Sequence, residues 1–142
     1  MKKLPLLLAL ALAPMLAPAD TLWLTVMGSA SDPAANTIQV DPAPVEVKDE
    51  FRIMRVRVSR SSQRSSWDGI PYRSYESTVL FDCTQQNARY LSLRFFMQPG
   101  WAGESHKTST YPPETPRWME FRDVQPNPTA RIIRAACLGI TR

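Results

Sequence analysis

Few residues in this chain have the types and spacing that covalent or metal chemistry needs. There are two cysteines, Cys83 and Cys137, and one histidine, His106. Two cysteines so far apart can form a structural bridge, stay as buried free thiols, or act as a redox couple. A redox couple normally uses the close C-x-x-C spacing that depresses a thiolate pKa. The wide separation and apolar neighbours here favour a bridge. Two lone cysteines and one histidine lack zinc-ligand spacing, so no metal and no cofactor is expected. His106 lies in Gly103-Glu104-Ser105-His106-Lys107. As a general base it would need an orienting carboxylate and a nucleophile. Glu104 and Ser105 are merely its sequence neighbours, so it reads as a surface histidine. Asp49 and Glu50 are consecutive and do not face each other across a cleft as a glycosidase pair must. The chain has no G-x-S-x-G and no phosphate-cradling G-x-x-x-x-G-K. These residues point to binding rather than catalysis.

The side chains suited to binding are aromatic and basic. Trp67, Tyr72, Tyr75, Trp101, Tyr111 and Trp118 fall in or near loops. Trp, Tyr and Arg are enriched at binding hot spots, although in a small sheet domain most such rings anchor the core. Arg55 with Arg57, and Arg131 with Arg134, read as solvated faces, with weak attraction to anionic glycans or lipid headgroups as the functional alternative. The arginines are spread along the chain without a dense basic block, which argues against nucleic acid as a partner.

The elements that position these residues begin after an export signal. Lys2 and Lys3 precede the apolar run Leu4–Leu12, and Ala17-Pro18-Ala19 forms an A-x-A cleavage site. The run is broken by prolines and falls short of the roughly 20 apolar residues of a bilayer span. Residues 1–19 are therefore expected to be a cleaved signal peptide, with residues 20–142 forming one domain and no stable membrane span. No cysteine opens the mature chain to carry a lipid. Without Lys2 and Lys3, 15 basic residues face 13 acidic ones and the net charge falls from +4 to +2. In an oxidising compartment the even cysteine count suggests a Cys83–Cys137 bridge.

Periodicity then predicts strands. Thr21–Val26 is β-branched and apolar, and Thr37–Val40 is short and stopped by Asp41-Pro42-Ala43-Pro44. Phe51–Ser59 alternates Met54, Val56 and Val58 against Arg55 and Arg57, as a half-wet strand does. Arg60–Ser66 has the composition of a flexible loop. Tyr75–Cys83 and Arg89–Gln98 flank a polar turn and read as a β-hairpin. Tyr75, Val79, Phe81 and Cys83 are expected on one face of the first; Leu91, Leu93, Phe95 and Met97 share a face of the second. Pro99–Pro116 is irregular, with room for a strand at Ser105–Thr110. Arg117–Val124 is strand-like, with Met119 and Phe121 opposite Trp118 and Glu120. A helix follows, capped by Asn127, with Pro128 in its first turn and Gly139 after its end. Ala130, Ile133 and Cys137 are expected on its packed face. Strands first and a helix last imply an α+β fold, an antiparallel sheet of five to six strands with the helix on one face.

Tyr72-Arg73-Ser74 leading to Phe81-Asp82-Cys83, then Arg89-Tyr90, a late Trp near 118, Val124-Gln125-Pro126 and Cys137 make residues 72–138 resemble the surface-adhesin protein E family of Gram-negative bacteria. The resemblance implies a compact sheet with its helix fastened by a Cys83–Cys137 disulfide, and a non-enzymatic envelope protein. It implies host or envelope proteins as partners, since named members bind extracellular-matrix and serum proteins. Only Lys48 and Lys107 survive cleavage, so a lysine-based ligand surface does not carry over. The leading expectation is an exported, periplasmic or secreted binding module, with a partner-binding loop around Trp101, His106 and Tyr111 because long loops are often functional. The alternative is a small envelope hydrolase, or a protein inhibitor of one. Ligand and oligomeric state stay open.

Overall fold

In the computed structural model, residues 22–139 are described; the expected signal peptide and its cleavage site lie outside them. The strands are β1 (Leu24–Met27), β2 (Thr37–Val40), β3 (Glu46–Lys48), β4 (Phe51–Ser65), β5 (Pro71–Asp82), β6 (Asn87–Phe96), β7 (Lys107–Thr110) and β8 (Arg117–Trp118). They form one antiparallel sheet in the order β1-β2-β4-β5-β6-β7, with β3 beside β4 and β8 beside β6. Helix α1 (Thr129–Ala136) closes the chain. The class is the expected α+β, with a higher strand count because the short β3 and β8 flank the main path.

Register gives the sheet two chemically distinct faces. On the inner face Ile38 and Val40 pair with Val58 and Val56, Met54 with Val79, and Val58 with Tyr75. These side chains are at most 3% exposed and form one core with Phe81, Leu93, Phe95, Ile132 and Ile133. The outer face carries Gln39, Arg55, Arg57, Glu76 and Arg94 in the alternating positions.

Three local expectations change. Arg60–Ser66 is not a flexible loop; β4 runs on to Ser65. Between Ser59 and Arg64 the register slips, and the side chain of Arg73 satisfies the freed backbone, donating to Arg60 O at 2.8 Å and Ser61 O at 3.1 Å. Polar composition suggested a loop, but a partner far along the chain supplied the missing hydrogen bonds. In β6 the pairing jumps from Thr78↔Ser92 to Val79↔Tyr90, so Leu91 is a bulge residue. A bulge inverts the alternation beyond it. Tyr90 therefore joins Leu93 and Phe95 in the core, Leu91 is half-buried, and Met97, beyond the end of β6, is exposed. Only Arg117–Trp118 of the expected Arg117–Val124 strand is paired, yet Met119 and Phe121 are buried as the alternation required.

The helix begins one residue late. Asn127 Oδ1 accepts the Thr129 N–H at 2.9 Å, while Pro128 precedes the first turn. Its buried stripe is Ile132, Ile133 and Ala136; Ala130 is exposed, and Cys137 sits at the C-cap against the core. Gly139 adopts φ 81°, the left-handed conformation that favours glycine after a helix end. Cys83 and Cys137 form a disulfide with their Cα atoms 5.7 Å apart. Arg52 closes the helix from the sheet side, donating to Ala136 O at 3.2 Å and Leu138 O at 2.7 Å. A cation at a helix C-terminus suits both the open carbonyls and the dipole.

Candidate functional site

On the outer face, the guanidinium of Arg57 lies between two indoles, 4.2 Å from the ring centre of Trp23 and 3.9 Å from that of Trp101. Its Nε donates to Gln39 Oε1 at 2.7 Å, and Gln39 in turn donates to Thr25 Oγ1 at 3.0 Å. Burial between the rings lowers the Arg57 pKa; Glu76 opposes this shift and Arg55 adds to it. Trp101 is held by its Nε1–H, shared between Val58 O at 3.2 Å and Tyr75 O at 2.9 Å. The short 3-10 turn Pro99–Trp101 sits over Ser59 and Ser74, whose hydroxyls accept its amides. Beyond this cluster Arg55 pairs with the buried Asp41, and Arg94 pairs with Glu76 at 2.6 Å. At the β3 end of the same face Phe51, Ile53 and Leu80 line a shallow apolar hollow of about 250 Å³ edged by Glu46 and Lys48.

The inner face holds a deeper cavity of about 430 Å³, beyond the part of the core that α1 covers. Tyr72, Tyr75, Tyr90 and Phe95 form its floor, Trp67 and Trp118 its rim, and Arg60, Arg64 and Asp123 its polar wall. The Tyr75 and Tyr90 hydroxyls are hydrogen-bonded at 2.7 Å. Trp67 packs on Tyr90 at 5.5 Å and edge-on against Tyr111 at 6.1 Å. Arg60 is 7% exposed. Burial disfavours its charge, but Tyr72, Tyr75 and Asp123 outweigh burial and raise its pKa. The cavity thus holds a permanent cation.

Burial also raises the phenol pKa values of Tyr75 and Tyr90 above the ordinary value, and raises Tyr111 to about 12 with help from its hydrogen bond to Asp68 at 3.0 Å. The folded chain therefore keeps protons that unfolded tyrosines release near pH 10. Stability is expected to be level below about pH 10 and to fall as pH rises further, because the unfolded state then binds fewer protons than the native one. Denaturant midpoints from pH 8 to 12 check this; Tyr90→Phe should flatten the decline, and an unchanged slope would contradict it.

The three loop residues proposed from sequence are not brought together. Trp101 stands on the outer face. His106 Nε2 lies 2.8 Å from Pro71 O, and His106 does not line the inner-face cavity. Tyr111 is buried beside Trp67 and Asp68. Four of the six aromatics singled out from sequence, Trp67, Tyr72, Tyr75 and Trp118, do meet at the cavity. Sequence reasoning missed Trp23, Tyr90 and Arg60 as site residues. For Trp23 the signal was its position just ahead of a strand; for the other two, bulges hid it. Among the described residues there is no cluster of three or more metal-ligating side chains, and no helix is long and apolar enough to cross a membrane.

The described residues thus form an antiparallel sheet stapled to a C-terminal helix, with an arginine–tryptophan cluster on its outer face. The chain belongs to the surface-adhesin protein E family, whose model matches residues 23–138. The match extends the resemblance from residue 72 back to residue 23. No curated protein and no solved structure matches the chain. A surface-adhesin family is one of exported or cell-surface proteins, and the disulfide fits an oxidising compartment.

Proposed function

We propose that the chain is an exported, non-catalytic binding module, released from a signal peptide at residues 1–19 into the periplasm or beyond, and folded over residues 20–142 as one adhesin-like domain. Its partner is a host or envelope protein. The observation that carries this assignment is the outer face, where Arg57 is stacked between Trp23 and Trp101, with an apolar hollow further along the same face beyond Arg55. Preordered Trp and Arg side chains on a face with apolar surface match the composition of protein hot spots, and they lose little entropy on contact. The family supports the adhesin-like role. The position of His106, with its Nε2 at a backbone carbonyl, supports a non-catalytic one over the hydrolase alternative. Of the loop residues Trp101, His106 and Tyr111, Trp101 is the central contact; His106 meets Pro71 at the start of β5, and Tyr111 bonds to Asp68 in the turn before it.

The test is surface binding of the mature chain to a panel of extracellular-matrix and serum proteins. Arg57→Glu is expected to weaken any specific interaction at least about tenfold, as loss of a hot-spot residue does. Combined alanine substitution of Trp101, His106 and Tyr111 should do the same, with thermal melts confirming the fold. Interactions left intact by both variants would sink the assignment.

A further inference from the structure

The inner-face cavity takes no part in that contact surface. We propose that it is a binding site for a small aromatic carboxylate, with the carboxylate seated on Arg60 and Arg64 and the ring held among Trp67, Tyr90 and Trp118.

The charges in the cavity do not close on themselves. Arg60 and Arg64 share one carboxylate, Asp123. Arg64 approaches it at 3.0 Å, whereas the two Arg60 contacts are long, at 3.4 and 3.5 Å. Arg122 is taken by Glu120 at 2.8 Å. Three guanidiniums thus face two carboxylates, an excess of one positive charge. Arg60 Nε and Arg64 Nε are buried without a hydrogen-bond partner among the described residues, and Arg60 Nη1 has only its long 3.4 Å approach to Asp123. A buried charged donor left unpaired is costly, and a carboxylate accepting from a guanidinium fork is its natural complement. The tyrosine pair adds a further donor. One phenolic proton is used in the Tyr75–Tyr90 bond, and the other has no acceptor among the described residues.

The remaining walls select the body of the ligand. A volume of about 430 Å³ lies within the range of small-molecule sites. Trp67 and Trp118 stand 53% and 44% exposed at the mouth. This is apolar area that a flat ring would cover in offset or edge-to-face contact. Aromatic boxes of this kind otherwise favour cations, but a cation here would meet the buried Arg60 charge.

The intact mature chain would be titrated calorimetrically with phenylacetate, neutral phenylacetamide and cationic phenethylamine. Phenylacetate is expected to bind saturably, phenylacetamide at least about tenfold more weakly, since charge-assisted hydrogen bonds carry that much discrimination, and phenethylamine not at all. Arg60→Gln should weaken phenylacetate at least about tenfold. Asp123→Asn should tighten it severalfold, because it removes the carboxylate that competes for both guanidiniums. A folding defect would not produce that gain, so the test stands even if Arg60→Gln folds poorly. The proposal is overturned if phenylacetate shows no saturable binding below roughly 10 mM, the weak limit for so small a ligand. It is overturned equally if the amide or the amine binds as tightly, or if Asp123→Asn weakens binding.

Discussion

Replacing Cys83 and Cys137 together by serine is expected to lower the unfolding free energy by about 4 kcal/mol, from the chain entropy that the unfolded state regains when a loop of sequence separation 54 is no longer closed. Domains of this size are stable by only about 5–15 kcal/mol in total, so the double variant should unfold at a much lower denaturant concentration. The effect should be concentrated at the helix. Among the described residues, α1 is only eight residues long, too short to persist alone in water. It is held by Ile132, Ile133 and Ala136 in the core, by Arg52 at its last carbonyls, and by the bridge. Guanidinium melts followed by far-UV circular dichroism, with and without the two serines, measure the loss. Coincident melts would show that packing alone retains the helix.

Phe95→Ala should cost about 3–5 kcal/mol, the usual penalty for emptying a fully buried aromatic site. Phe95 is completely buried, with Tyr72 at 5.3 Å and Tyr75 at 6.2 Å between ring centres. Its removal also takes out the floor of the inner cavity, so phenylacetate binding should be lost together with stability. Leu91→Ala is the informative companion. Uninterrupted alternation would place Leu91 and Phe95 on the same face and predict comparable penalties. The bulge leaves Leu91 half-buried, and its truncation should cost less than half as much. Equal losses in urea titrations of the two variants would remove the bulge, and with it the placement of Tyr90 in the cavity.

The two sheet faces divide the functional assignments. The outer face offers rigid, preordered contacts and a shallow hollow, which suit a protein surface. The inner cavity is concave, aromatic and positively charged, which suits a small anion. Asp123 connects stability with binding there. It partly neutralises Arg60 and Arg64 in the free protein, so ligand and carboxylate compete for the same donors.

Much of this molecule was legible in its residues. Period-two alternation placed β4, β5 and β6 because each strand buries one face, and the turn Thr84–Asn87 joined two of them into a hairpin. Asn127, Pro128 and Gly139 bounded the helix to within two residues because cap chemistry is local. Short motifs around Cys83 and Cys137 carried the family. What sequence did not yield depends on partners distant along the chain. Arg73 turns the polar run 60–65 into ordered strand by filling its free carbonyls, which buries Arg60. The Leu91 bulge exchanges Leu91 for Tyr90 in the core, since one extra residue inverts everything beyond it. Trp23 and Trp101 lie 78 residues apart in the chain and meet only across Arg57. Local patterning thus determined the strands, the helix and the inward-facing rows, whereas the two sites exist only because tertiary pairing brings charge and aromatic rings together from separate strands.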